Sequence, residues 1–485
     1  MFSNPHGWAQ IRLLGGWQRV FAFVGVYGLA VLVFHVVIYR VSRDEFTPAQ
    51  FASGALIVMT YIQAAIIFLV GATAIKKSIH RDFTSEMIAS HRMTRMSGYT
   101  ATIGYMTGAT ARVWLMVLVN WLVCAVLARV AGFSILVPTT ILVVFACLGL
   151  MCWTFAVLVG LGTRGTTSIG GLLVVILVLW NTGAIIGVPG LALLVGHTAI
   201  IDLQDSLVDG IQESSIVISM IGQLTFALAF FIAAARKFRR DDVSAFTPSL
   251  ACALLAAFAL LSAVALEHYP NTGGRFLRTV ITSTHQTIAT LVALAILAYL
   301  PVTTIARSAA LWTRRRSKDS EFRGPGPGPF WLGPITATLI VLAILNAVAW
   351  AGDGALTGLV LGEGSRAGVL IAIPFFLCVM TGGAIARYVY SRASSVIWFL
   401  VGYAVLFWAI PPLLDLSMAA AAGRDFDDPF SWVFGCSPVG TWIIAIDFAT
   451  TAPVVPGLIF QAAVACLSLI PAFRARLTSA PAASD

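Results

Sequence analysis

The sequence predicts an all-α polytopic membrane protein of about twelve transmembrane helices, arranged as two halves of six. Three observations carry this reading. Of 485 residues, 59% are hydrophobic and 11% charged, whereas a soluble chain is typically about a quarter charged. The apolar residues fall in runs of about 20, the length of helix that crosses the hydrocarbon core of a bilayer. The basic residues gather at alternate ends of those runs. No water-soluble core hides so much apolar surface, so lipid is the solvent.

In chain order, residues 4–19 read as an elbow helix lying on the membrane or, alternatively, as a frayed N-terminus. As a helix, it places Trp8, Ile11, Leu14 and Trp17 on a broad apolar face, with Arg12 and Arg19 at headgroup level. The pattern is not that of a cleavable signal peptide. Apolar runs then predict spans at 20–39, 54–75, 110–131, 137–160, 169–188 and 215–235 in a first half, residues 1–242. A second half, residues 243–485, holds spans at 247–267, 280–306, 331–350, 367–386, 395–416 and 453–473. The seam is the run Arg236-Lys237-Phe238-Arg239-Arg240-Asp241-Asp242.

With the N-terminus inside, 23 of the 30 basic residues fall in cytoplasmic segments and 7 in outer ones. That bias predicts a cytoplasmic (inner) membrane protein with both termini in the cytoplasm. The net charge of +9 therefore marks helix ends rather than a nucleic-acid partner, since the charges are scattered and lack stacking aromatics. In each half the longest cytoplasmic segment follows the second span and the longest outer segment precedes the sixth, which is the layout of parallel repeats. The cytoplasmic linker 314–330 contains Gly324-Pro325-Gly326-Pro327-Gly328-Pro329 and is not regular helix there, because proline lacks the amide donor and glycine disfavours the conformation.

Chemistry-bearing motifs are sparse. There is no phosphate-cradling Gly-x-x-x-x-Gly-Lys-Ser/Thr loop, no His-Glu-x-x-His and no Cys/His zinc spacing, so no cofactor is expected and the chain is not read as an enzyme. Six of the seven cysteines lie in apolar runs; Cys436 falls in an outer segment, 417–452. Ionisable residues inside spans are costly and are usually functional. His35 and Asp415 are the candidates, His35 either bonded between helices or relaying protons. Asn120, Asn181 and Asn346 suit bonds across helices, and Pro301 and Pro374 suit kinks. Residues 189–214 read as a helix dipping into the outer leaflet, with Asp202, Asp205, Asp209 and Glu213 returning to water, or as a solvated loop.

The most informative stretch is residues 74–113. After Lys76-Lys77 comes a polar segment predicted to form a short helix, capped by Asp82 or Thr84 and ending near Gly98. It is too short to fold alone, so the membrane or a partner stabilises it. Glu86, then Thr94-Arg95-Met96-Ser97, then Gly104 ahead of the third span resemble the coupling region of ABC-type-2 exporter permeases. There an acid is followed by a Thr-Pro-Leu-Ser turn and a later glycine and lysine. Arg95 stands for the proline, Tyr105 for the lysine, and the family's Gly-Thr after the acid is absent.

The resemblance implies a coupling region over residues 78–105 that docks on a separate ATP-binding subunit, two copies per assembly. Glu86, Met87, Ile88, His91, Arg92, Thr94, Arg95 and Ser97 would be the docking residues. It also implies a function as the membrane-spanning permease of an ATP-driven exporter, the bilayer its medium and a second permease or a second copy of the chain a further partner. The alternative is a twelve-span secondary transporter, whose Gly-x-x-x-Asp-Arg-x-Gly-Arg loop is not present in residues 76–95.

Overall fold

A computed structural model describes residues 4–94, 96–163, 188–195, 213–240, 244–268, 283–318, 331–351, 365–392, 397–421, 432–448 and 454–477. Every regular element among them is helical. Ten of the helices are long and apolar enough to cross a membrane, and each overlaps one expected span, so the chain is a multi-pass membrane protein. Of the remaining two spans, 169–188 lies outside the described residues except for Val188, and 395–416 contains a shorter apolar helix, Phe399–Asp415. Most of the Gly/Pro linker and the acidic stretch from Asp202 to Asp209 also lie outside the described residues, as does Asn181.

The contacts divide the chain into two units, Met1–Gly183 with Ala192–Ala245, and Ala184–Leu191 with Phe246–Asp485. In the first, α1 (Pro5–Leu13) is capped by Asn4, whose side chain accepts from the His6 and Gly7 amides. It is shorter than the expected 4–19 because Gly15 and Gly16 both take positive φ, 93° and 76°, and turn the chain sharply into α2 (Gly16–Ser42). Trp17 and Arg19 therefore belong to the first span. Against the protein α1 buries His6, Gly7, Gln10 and Ile11, while Trp8 and Leu13 are exposed.

The second span is a continuous 37-residue rod, Pro48–Thr84. It comprises α3 (Pro48–Ala65), a π turn at Ile66–Gly71 and α4 (Ala72–Thr84). The π turn frees the carbonyl of Ile67, which accepts from the buried indole of Trp153 at 2.8 Å. The short helix α5 (Met87–Met93), α6 (Gly98–Gly104), a second π turn (Tyr105–Ala109) and α7 (Ala111–Val130) follow. Then come α8 (Leu136–Gly162), α9 (Pro189–Leu194), which is divided between the two units at Leu191, and α10 (Glu213–Arg239). Val31, Leu56, Met59, Cys124 and Ala128 close a core between α2, α3 and α7.

Tyr27 donates to Asn120 at 2.6 Å, so Asn120 does join two helices. Asn346 instead bonds Leu342 in its own helix. His35 is satisfied locally as well, its Nδ1 donating to Val31 O at 2.8 Å.

The second unit contains α11 (Pro248–His268), α12 (Ser283–Lys318), α13 (Leu332–Ala351) and α14 (Ser365–Arg392). These are followed by α15 (Ile397–Ala404), a π turn at Val405–Ala409 and α16 (Ile410–Ala421). Part of the segment expected as an outer loop is instead a buried broken helix: α17 (Trp432–Gly435), α18 (Pro438–Ile443) and a π turn at Ile444–Phe448, ahead of α19 (Val454–Leu477). Cys436 is buried in it. Side chains supply the bonds that the break withholds. Ser437 caps α18 and donates to Trp408 O (2.8 Å), Gln461 donates to Gly435 O (2.9 Å), and Trp442 donates to Ile371 O (3.2 Å). Irregular backbone among apolar helices survives only when its polar groups are paired in this way.

Candidate functional site

The densest set of polar contacts in the first unit lies where α1, α4, α5 and the Tyr105 turn meet. Gln10, 1% exposed, is held three ways. Its Oε1 accepts from Ser78 Oγ (2.6 Å) and from Arg81 (2.7 Å), and its Nε2 donates to Asp82 Oδ2 (3.0 Å). Tyr105 donates to the same carboxylate oxygen at 2.8 Å, and Arg81 lies 4.0 Å from the other oxygen. Burial holds the Tyr105 phenol well above its ordinary range, so it stays a donor. Asp82, fully buried, is thus the hub of this network rather than the cap of a new helix.

His6 sits beside the network, edge-on to Tyr105 (4.4 Å between centroids) and to His91 (5.1 Å). Neither of its ring nitrogens has a hydrogen-bond partner. Burial first, and the neighbouring His91 second, lower its pKa from 6.5 to about 4, so the ring is neutral at neutral pH.

The segment expected to dock on a partner is built differently from the sequence reading. The rod of the second span runs on to Thr84. Glu86 turns the chain with φ 57°, a left-handed conformation rare for a residue with a side chain. α5 ends at Met93, with Thr94 extended, so Gly98 begins the next helix rather than ending this one. Ser97 caps α6 through the Thr100 amide (3.1 Å).

The eight expected residues separate by exposure. Ile88 is 2% exposed, His91 is half-buried against His6, and Arg92 donates from Nε to Phe238 O (2.7 Å) at the end of α10. Met87 is half-buried, Glu86 and Thr94 are exposed, and Arg95 lies outside the described residues. What faces outward is Glu86, Ala89, Ser90 and Met93, spaced three and four apart on one helix face, with Met93 89% exposed.

Behind this face the packing is tight. A side chain at Gly98 would overlap the backbone carbonyl of Ala235 in α10. Asn4 reaches from the start of α1 to Thr100 O (2.8 Å). The short helix thus meets α1 through His91 and the end of α10 through Arg92, and α6, which follows it, is fixed to α1 and α10 through Asn4 and Gly98.

The sequence signal missed Gln10, His6 and Tyr105. A glutamine and a histidine on an amphipathic helix read as water-facing, and their partners lie 68 to 99 positions away along the chain. Among the described residues, no group of three or more His, Cys, Asp or Glu is placed to hold a metal ion. Comparison with protein families, with curated proteins and with solved structures finds no match.

Proposed function

We propose that this chain is the membrane-spanning subunit of an ATP-driven exporter and that α5 receives a separate ATP-binding subunit. The observation that carries the reading is the division of α5 into two faces. One face is anchored by Ile88, His91 and Arg92 to helices that lead into the membrane, and the other, Glu86-Ala89-Ser90-Met93, is free to be touched. A seven-residue helix does not hold itself together. Fixing it from behind turns it into a lever whose motion is the motion of the span ends.

The basic bias of the chain supports a cytoplasmic position for this lever, on the side where ATP is. The resemblance of residues 82–105 to the coupling region of ABC-type-2 permeases, and the span order of residues 5–240, point to the same partner. In this reading α1 is the elbow helix, and the unit has six spans once 169–188 is counted.

The test uses the full chain and a candidate ATP-binding subunit with a phosphate-cradling Walker loop, co-purified in detergent. Ala89→Arg with Met93→Asp places two charges in the interface and is expected to weaken association at least about tenfold, the size of effect that a few buried contacts give. Membrane insertion should be unchanged, because no span is touched. Association at the wild-type level would remove the docking role from this face.

A further inference from the structure

The corner between α1 and α2 carries three arginines for which no ion pair is found among the described residues. Arg112, at the start of α7, donates to Leu14 O at 2.6 Å, lies 5.3 Å over the Phe23 ring, and keeps a buried Nε without a partner. The stem of Arg19 folds across Gly15, in the space a Cβ there would fill. Arg12, exposed, stacks on Trp8 at 3.8 Å. Three guanidinium-bearing side chains therefore rest on the stretch from Trp8 to Phe23. The nearest acid along the chain from that stretch is Asp44, and α1, α2 and α7 contain no carboxylate. Neither Arg43–Asp44 nor Arg81–Asp82 involves any of these arginines.

The helices point the same way. Arg112 meets Leu14, Val119 faces Gly28 and Asn120 meets Tyr27, so α2 and α7 run parallel with their N-terminal ends level. The backbone N–H groups at the start of α2 have no side-chain cap. That uncapped N-terminus adds partial positive charge at the corner. Trp8 and Leu13 are exposed on either side, as suits side chains at a membrane interface.

We infer that this corner binds the phosphate of an anionic membrane phospholipid, with Arg19 and Arg112 reaching its oxygens, Arg12 at the rim, and the acyl chains lying along the exposed apolar side of α2. Guanidinium groups match phosphate oxygens in a planar fork. The occupant is a lipid rather than a soluble anion because Phe21, Val26 and Leu29, just beyond the corner, are each more than half exposed apolar surface.

The test is native mass spectrometry of the chain released from nanodiscs holding equal phosphatidylglycerol and phosphatidylcholine. Phosphatidylglycerol should be retained preferentially. Arg12→Gln with Arg19→Gln should cut that preference by about fivefold for each charge removed. Both side chains are exposed, and an unchanged thermal unfolding midpoint reports an intact fold. Arg112→Lys should lower the preference less, because the charge stays and only the fork is lost. Arg40→Gln with Arg43→Gln, at the far end of α2, should leave it unchanged. Equal retention of the two lipids by the wild-type chain would overturn the inference. So would an undiminished preference in the Arg12/Arg19 variant, or loss of bound phosphatidylglycerol to added inorganic phosphate.

Discussion

Gln10 shows how much one side chain does in this protein. It satisfies a hydroxyl, a guanidinium and a carboxylate at once, so Gln10→Leu strands three buried or half-buried partners. Each stranded group costs about 1–3 kcal/mol. The expected result is release of α1 from α4, measured as faster protease cleavage near Leu14, with the spans still folded. His6 adds a pH dependence. Its pKa falls from 6.5 to about 4 when α1 is docked, so the docked state disfavours the protonated ring. The groups facing it are His91, Tyr105 and, through the network, Asp82 and Arg81. Docking is fully favoured above pH 6.5 and loses ground as pH falls towards 4, by about tenfold in the docking equilibrium at pH 5.5. Hydrogen exchange in α1 at pH 7.5 and 5.5 checks this, and His6→Phe, which keeps a ring but cannot titrate, should abolish the difference. None of these roles was legible in the sequence. Arg92 reads as a surface charge on a polar helix, and only the fold brings the Phe238 carbonyl to it.

At the scale of the element, hydropathy marks where a helix leaves lipid but not where it stops being helical. The second span loses its apolar run near residue 75, yet its helix continues to Thr84 because its polar side chains find partners on α1 and the Tyr105 turn. The π turns have no sequence signature of their own; they become visible only as carbonyls taken up by side chains. Trp153→Phe removes one such partner from Ile67 O and should destabilise the first unit by about 1–3 kcal/mol, read as a lower unfolding midpoint in detergent. Gly98→Val should do more, forcing α6 away from α10 at Ala235 and disturbing the seat of α5. Residues 417–452 read as an outer segment because they lie between two apolar runs, yet 432–448 contain proline, glycine and serine that act otherwise. The structure uses the same residues to cap and break a buried helix.

At the scale of the molecule, the expected architecture of apolar spans was legible because lipid leaves few options. A buried backbone must bond to itself, and a run of about 20 apolar residues does so as a helix. The candidate site was far less legible, since it is made of contacts between segments distant in sequence. The resemblance over residues 82–105 implied Ile88, His91 and Arg92 as docking residues, whereas Ile88 is buried, His91 is half-buried and Arg92 bonds the Phe238 carbonyl. The proposed lever needs its free face on the side of the membrane where ATP is. The most direct measurement is the labelling of Met93→Cys, with the exposed Cys466 replaced, by a membrane-impermeant maleimide in oriented vesicles. Labelling in inside-out vesicles that is blocked by the bound ATPase is the expected result. Labelling only in right-side-out vesicles would contradict it.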